Sequence, residues 1–101
     1  MILYNVTVSV APQVEQDWLT WMKDVHIPEV MRTGCFAEHK FLRLLNESPE
    51  AEGSTYAVQY FAPGKAELDT YLADHAPALR QKHLERYQDK ALAFRTLLEE
   101  I

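Results

Sequence analysis

The sequence predicts an α+β fold of the ferredoxin-like βαββαβ plan, a four-stranded antiparallel sheet with both helices on one face. Three observations predict it. Residues 2–10 alternate between two faces, with β-branched residues dominating one of them. The apolar period then changes from two to about 3.6. Finally, one unit occurs twice, His-x-Pro at the end of an apolar helical stretch, as His26-Ile27-Pro28 and His75-Ala76-Pro77. Each copy follows a β-like segment and precedes a basic residue, Arg32 or Arg80. The repetition reads as two related halves packed as one domain over residues 1–101.

The first strand places Ile2, Tyr4, Val6, Val8 and Val10 on one face and Leu3, Asn5, Thr7 and Ser9 on the other. Ala11-Pro12 ends it, because proline donates no ladder hydrogen bond and suits a first helical turn. Val14, Trp18, Trp21, Met22 and Val25 then recur at helical spacing. Pro28 is expected to break this helix, since the residue before proline is pushed out of the α region. A last turn over Glu29–Arg32 would stop at Thr33-Gly34, a glycine C-cap. Residues 36–45 fit helix or strand, and 46–54 form a loop rich in Glu, Ser, Pro and Gly. The aromatic and β-branched run from Thr55 to Phe61 is a strand, which favours a long-looped hairpin and a strand for 36–45. Pro63-Gly64 leads into a second amphipathic helix with Leu68, Tyr71 and Leu72. Pro77 starts a further helical segment with Leu79, His83, Leu84 and Tyr87. The tail from Lys90 fits both templates, and the symmetry of the halves favours a strand.

Helices cover one face of such a sheet. The other, with Ile2, Tyr4, Val6, Val8 and Val10 as expected members, would be left exposed and apolar. Its simplest cover is a second copy of the chain across a two-fold axis. The size argues the same way, because a 101-residue domain leaves roughly a third of its unfolded-chain surface exposed.

Composition narrows the function classes. Ten Lys and Arg against fifteen Asp and Glu give a net charge of −5, with no basic patch for a nucleic-acid backbone. The single cysteine, Cys35, forms no intrachain disulfide, which fits a reducing compartment. The N-terminus has no basic n-region or signal-type apolar stretch, and no segment reaches the roughly 18 apolar residues of a membrane span. The expectation is a soluble, cytoplasmic protein.

The candidate chemistry centres on histidine. His26 stands at a helix end, where an imidazole can shuttle a proton near neutral pH. Alternatively, its ring bonds a backbone carbonyl freed at the break. His75 and His83 flank Leu79 at successive i+4 spacing and would share a helical side. Neither they nor Cys35 form a recognised ligand motif, so no metal is expected. Asn5, Thr7 and Ser9 make a polar row that needs ligand or water if it faces the helices, and is a wet strand edge if it does not. Arg43 and Arg95 would grip a substrate carboxylate together, or pair with surface glutamates. Tyr60 would line a pocket or pack in the core. Cys35 has no assured basic neighbour to activate it. Phosphate loops, dinucleotide fingerprints and Ser-His-Asp orders are absent from the sequence.

The block Trp18-Leu-Thr-Trp-Met-Lys-Asp-Val-His-Ile-Pro-Glu-Val-Met, followed by Thr33-Gly-Cys-Phe, resembles a family of short bacterial proteins classed only as domain of unknown function 4286. Tyr60-Phe-Ala-Pro, His75-Ala-Pro-Ala-Leu-Arg and Phe94-Arg-Thr-Leu extend the resemblance over most of the chain, in matching order. The wider similarity is to the dimeric α/β-barrel superfamily, with its cofactor-free monooxygenases, haem-degrading enzymes and isomerases. The resemblance implies a homodimer with facing sheets and a pocket between the helices and sheet of each protomer, but no particular reaction. Haem-degrading members use an asparagine on the first strand, a tryptophan, and a histidine in the second helical region. Asn5 and His75 or His83 match by place, but Tyr71 stands where tryptophan is expected, so no cofactor is expected and haem is only a minor alternative. The resulting expectation is a small-molecule pocket with His26 and His75 as acid/base residues and Asn5, Arg43, Tyr60 and His83 positioning the ligand. Cofactor-free oxygenation or isomerisation would be the activity, and a non-catalytic ligand-binding or structural module is the alternative.

Overall fold

In the computed structural model, which describes residues 1–101, four strands form one antiparallel sheet in the order β2-β3-β1-β4. β1 (Ile2–Val10) runs through the middle, paired along its whole length with β3 (Ser54–Ala62) and β4 (Ala91–Glu99). The edge strand β2 (Glu38–Arg43) is shorter than the 36–45 expected, because Phe36 leaves the ladder and enters the core. Gly34 ends the first helical layer at φ +78°, the left-handed conformation expected of its cap.

The helices do not break at the prolines. α1 (Glu15–Trp21) continues into α2 (Ile27–Arg32) through a π-helical turn over Met22–His26. α3 (Lys65–Thr70) likewise continues into α4 (Ala76–Tyr87) through a π turn over Tyr71–His75. In both, the residue between His and Pro donates its N–H to the carbonyl five residues back, Ile27 to Met22 and Ala76 to Tyr71. Proline removes one i→i−4 donor and its ring crowds the carbonyl four back. One wider turn absorbs both defects, so the expectation of a break is corrected to a bulge.

The two sheet faces are the reverse of the sequence expectation. Tyr4, Val8 and Val10 are buried beneath the helices with Tyr56, Val58 and Tyr60, and Val6 packs against the same core. Trp18, Met22, Ile27, Val30, Leu68, Tyr71 and Leu79 meet them from the helical layer. The β-branched row offers the most apolar area, so the helices cover it, at roughly 25 cal/mol per Å² removed from water. Trp18 packs on Phe41 and Tyr56, which sets the first helical layer over β2 and β3. Arg80 reaches Tyr4, which sets α4 over β1.

The face away from the helices therefore carries the Leu3–Asn5–Thr7–Ser9 row. Its centre is polar, with Lys40, Gln59, Asn5 and Thr96 in register across the four strands. Mainly apolar rows flank that centre, Phe61, Leu3 and Leu98 with Glu38 at the edge on one side, and Leu42, Ala57 and Phe94 with Thr7 among them on the other. Phe94 and Leu92 are 63% and 60% exposed, so this face has no cover within the chain. No helix is long and apolar enough to cross a membrane.

Candidate functional site

A cavity lies between the helical layer and the three strands β3, β1 and β4. A small residue on β4 leaves room for it: Ala93 stands beside Val8, whereas β3 sets Tyr56 beside Val8 on the other side. The enclosed space is about 30 Å³, enough for a water or two. Its wall is mostly apolar, with Val6, Val8, Val58, Met22 and Leu79. The polar groups on it are Tyr4, Tyr60, Tyr71, His26, His83, Arg80 and Arg95.

His26, last residue of the first π turn, stacks on Trp21 with ring centroids 4.9 Å apart and stands 6.0 Å from the His83 ring. Its Nδ1 is buried without a hydrogen-bond partner, the only side-chain nitrogen or oxygen in that condition. The expected alternative, a ring bonded to a freed carbonyl, is therefore not found. Burial, reinforced by the neighbouring His83 and only partly opposed by Glu29, pushes His26 down to about 4. His83 is 8% exposed, and its Nε2 accepts a hydrogen bond from Trp18 Nε1 at 2.9 Å. An accepting Nε2 puts the proton of the neutral ring on Nδ1. Burial, then the charge of Arg95, pushes His83 down to about 4 as well. Both rings are neutral at physiological pH.

The phenols form the floor. Tyr4, Tyr60 and Tyr71 cluster around Phe36, with Tyr4 and Tyr71 centroids 5.5 Å apart. Burial raises Tyr60 and Tyr71 well above the ordinary phenol value, so both stay protonated donors. Arg80 on α4 donates from Nη2 to Tyr4 Oη at 3.0 Å. Arg95 on β4 shares the register of Val6 and lines the same space.

Of the residues expected at the site, His26, His83 and Tyr60 line the cavity together. Three others do not. Asn5 points to the opposite sheet face, where its Nδ2 donates to Thr7 Oγ1 at 3.0 Å. Its backbone parity, shared with Thr7 and Ser9, fixes that placement. Arg43 and Arg95 do share the helix-side face, but they sit on the two edge strands, three strand spacings or about 14 Å apart. They cannot grip one carboxylate, and Arg43 instead lies over the Tyr56 ring at 5.3 Å. His75 stacks on Tyr71 at 6.3 Å and is not on the cavity wall. Within α4, Leu79 and His83 do face the cavity as their spacing implies, but His75 belongs to the π turn, where helical phase slips. The residues that sequence reasoning left out are Tyr4, Tyr71, Arg80 and Trp18. Tyr4 carried a signal, since it shares the parity of Val6 and Val8; the Trp18–His83 bond, spanning 65 positions, carried none.

The sequence profile of the domain of unknown function DUF4286 matches residues 1–101. The chain belongs to that family. No protein with a curated description matches it. Among solved structures, it is similar over 100% of both chains to an ethyl tert-butyl ether D (EthD) family protein of Bacillus halodurans, with 16% identity and a TM-score of 0.69. A Deinococcus radiodurans protein described as a candidate antibiotic biosynthesis monooxygenase matches with 14% identity and a TM-score of 0.72, covering 100% of this chain and 93% of that one. A dimeric ferredoxin-like protein of unknown function from Jannaschia sp. matches with 15% identity and a TM-score of 0.62, covering 99% of this chain and 100% of that one. At these identities the similarity fixes the fold, a four-stranded ferredoxin-like α+β architecture, and not the chemistry.

Proposed function

We propose that the cavity is a small-molecule site at which His26 moves a proton on a carbon acid, in a protein that works as a homodimer. One observation carries the catalytic half: an imidazole at the cavity wall whose buried Nδ1 is left without a partner. Leaving such a group unpaired costs about 1–3 kcal/mol, and costs of that kind concentrate where a fold serves a ligand. In the reaction, neutral His26 takes a proton from a carbon next to a carbonyl and becomes imidazolium. The C–H electron pair moves onto the carbonyl oxygen, to which a protonated Tyr60 or Tyr71 hydroxyl donates a hydrogen bond. Return of the proton to a different carbon completes an isomerisation. In an oxygenation, the same carbanion would instead give its electrons to dioxygen, with no metal or organic cofactor required. His83, its tautomer fixed by Trp18, presents Nδ1–H as a further donor.

The dimer is supported by the apolar rows of the uncovered sheet face, which flank a polar centre able to pair with itself across a two-fold axis. The dimeric state of the ferredoxin-like Jannaschia protein is consistent with that arrangement.

The test is a thermal-shift screen of small aromatic and keto compounds, charged and neutral, on the wild type and His26→Gln. Hits are then incubated in D₂O and followed by proton NMR. Deuterium entering the carbon acid with wild type but not with His26→Gln supports the reading. Binding without exchange establishes a ligand-binding module instead.

A further inference from the structure

Outside the cavity, a groove of about 310 Å³ runs between α4 and β4, bordered by Pro77, Gln81, Leu84 and Leu92 among others. Arg80, His83, Ala93 and Arg95 line both the cavity and the groove, so the two meet at this quartet. The charges at this junction do not resemble those of the rest of the chain. Carboxylates outnumber Lys and Arg by fifteen to ten in the sequence, yet no Asp or Glu lines the cavity or the groove. The only formal charges there are the two guanidinium groups. Neither belongs to any of the salt bridges of the structure, which are formed by Met1, Lys65, Lys82 and Arg86. Arg80 is oriented by its bond to Tyr4 Oη, which uses one of its five N–H donors. Beyond the arginines the wall is uncharged: aliphatic and aromatic side chains, the neutral histidines, and the amides Gln81 and Gln88 at the groove.

We propose that the groove, where it meets the cavity, binds a small carboxylate with an unsaturated apolar body, its anionic end held by Arg80 and Arg95 and its body lying along the groove beside His83. The inference rests on the reading of the cavity as a ligand site and names the class of ligand. Guanidinium groups recognise planar carboxylates through paired N–H donors, and an acid-free surround leaves no internal competitor. The arrangement also bears on the chemistry. Arg95 adds positive charge beside His26 and His83, and disfavours their protonated forms. A bound carboxylate offsets that charge and makes His26 a stronger base when the substrate is in place. Free of ligand, the same residue stays neutral and idle.

Matched pairs of acid and amide test it: benzoate and benzamide, cinnamate and cinnamamide, salicylate and salicylamide. Binding is read by NMR shifts of the Trp18 indole N–H and the His26 and His83 rings. The expected result is that at least one acid binds about tenfold or more tightly than its amide, about 1.4 kcal/mol. Arg80→Gln and Arg95→Gln each reduce that preference while the amide's affinity holds. Equal binding of acid and amide, or a preference unchanged in both variants, overturns the carboxylate assignment and leaves the cavity a site for neutral ligands. Failure of every acid to bind also overturns it, and the deuterium exchange of neutral ketones then judges the wider reading on its own.

Discussion

Lowering the pH from about 7 to about 5 is expected to destabilise the protein before its carboxylates begin to protonate. An unfolded histidine takes a proton near 6.5, whereas folded His26 and His83 do so only near 4. Between those values the unfolded chain binds more protons, so stability rises with pH. It is fully present above about 6.5 and is lost as pH falls toward 4. Each depressed histidine accounts for about 2 kcal/mol between pH 7 and pH 5 by proton linkage. His26 keeps some contact with solvent, which reduces the pair to about 3 kcal/mol. Glu15 and Glu29 are held below the ordinary carboxylate value by hydrogen bonds from Tyr56 and Lys82, so their contribution is lost only at lower pH. Urea unfolding at a series of pH values, at fixed ionic strength and protomer concentration, measures the slope. His26→Phe should remove about half of that slope. It should also leave stability near neutrality unchanged or about 1 kcal/mol higher, because an unpaired buried nitrogen is gone. A flat profile between pH 7 and 5, or an unchanged slope in His26→Phe, refutes the assignment of two buried neutral histidines.

Trp18→Phe removes the donor to His83 Nε2 from a fully buried position, and should cost about 2–3 kcal/mol in urea unfolding, with the His83 tautomer no longer single by nitrogen NMR. Gly53→Ala would place a Cβ 2.1 Å from the Val10 carbonyl oxygen, a backbone atom that cannot step aside. A loss of about 3 kcal/mol, read as a lowered melting temperature, is expected. Phe94→Asp puts a charge in an apolar row of the uncovered sheet face and should give a folded monomer by sedimentation, with an unchanged circular dichroism spectrum.

The strands and the two helical layers were legible because their periodicities are strong. Alternation gave β1 its faces, and the turn signals at Pro63-Gly64 and Gly34 fell within a few residues of the observed ends. Alternation alone does not say which face the helices take, and here the expectation was reversed. The number of β-branched side chains on the row of Tyr4 and Val8 was the better guide, since two helices cover the face that buries most apolar area. His26, His83 and Tyr60 do line the cavity, as their elements and parity allow. Parity puts Asn5 on the other face, and strand order, which brings β1 between β3 and β4, puts Arg43 on the edge opposite Arg95. His75 lies off the cavity wall because its helix does not keep a 3.6-residue period up to the proline. The His-x-Pro repeat correctly marked something unusual in each helix, but its backbone form was visible only in three dimensions.

That form has an evolutionary consequence. A π turn holds one residue more than the α turn it replaces. Each long helix is thus one residue richer than its span requires, at the same place in both halves. Deleting a single residue from Tyr71–His75 would restore a regular ladder and keep the flanking segments in phase, so that the residues of the turn itself change direction. Tyr71 would swing off the cavity floor while the helix itself became more regular. Relatives of this chain can therefore be sorted from their sequences. Those that keep the count between Leu68 and Leu79 and a small residue at the place of Ala93 can build this chamber, and those one residue shorter have a differently lined one.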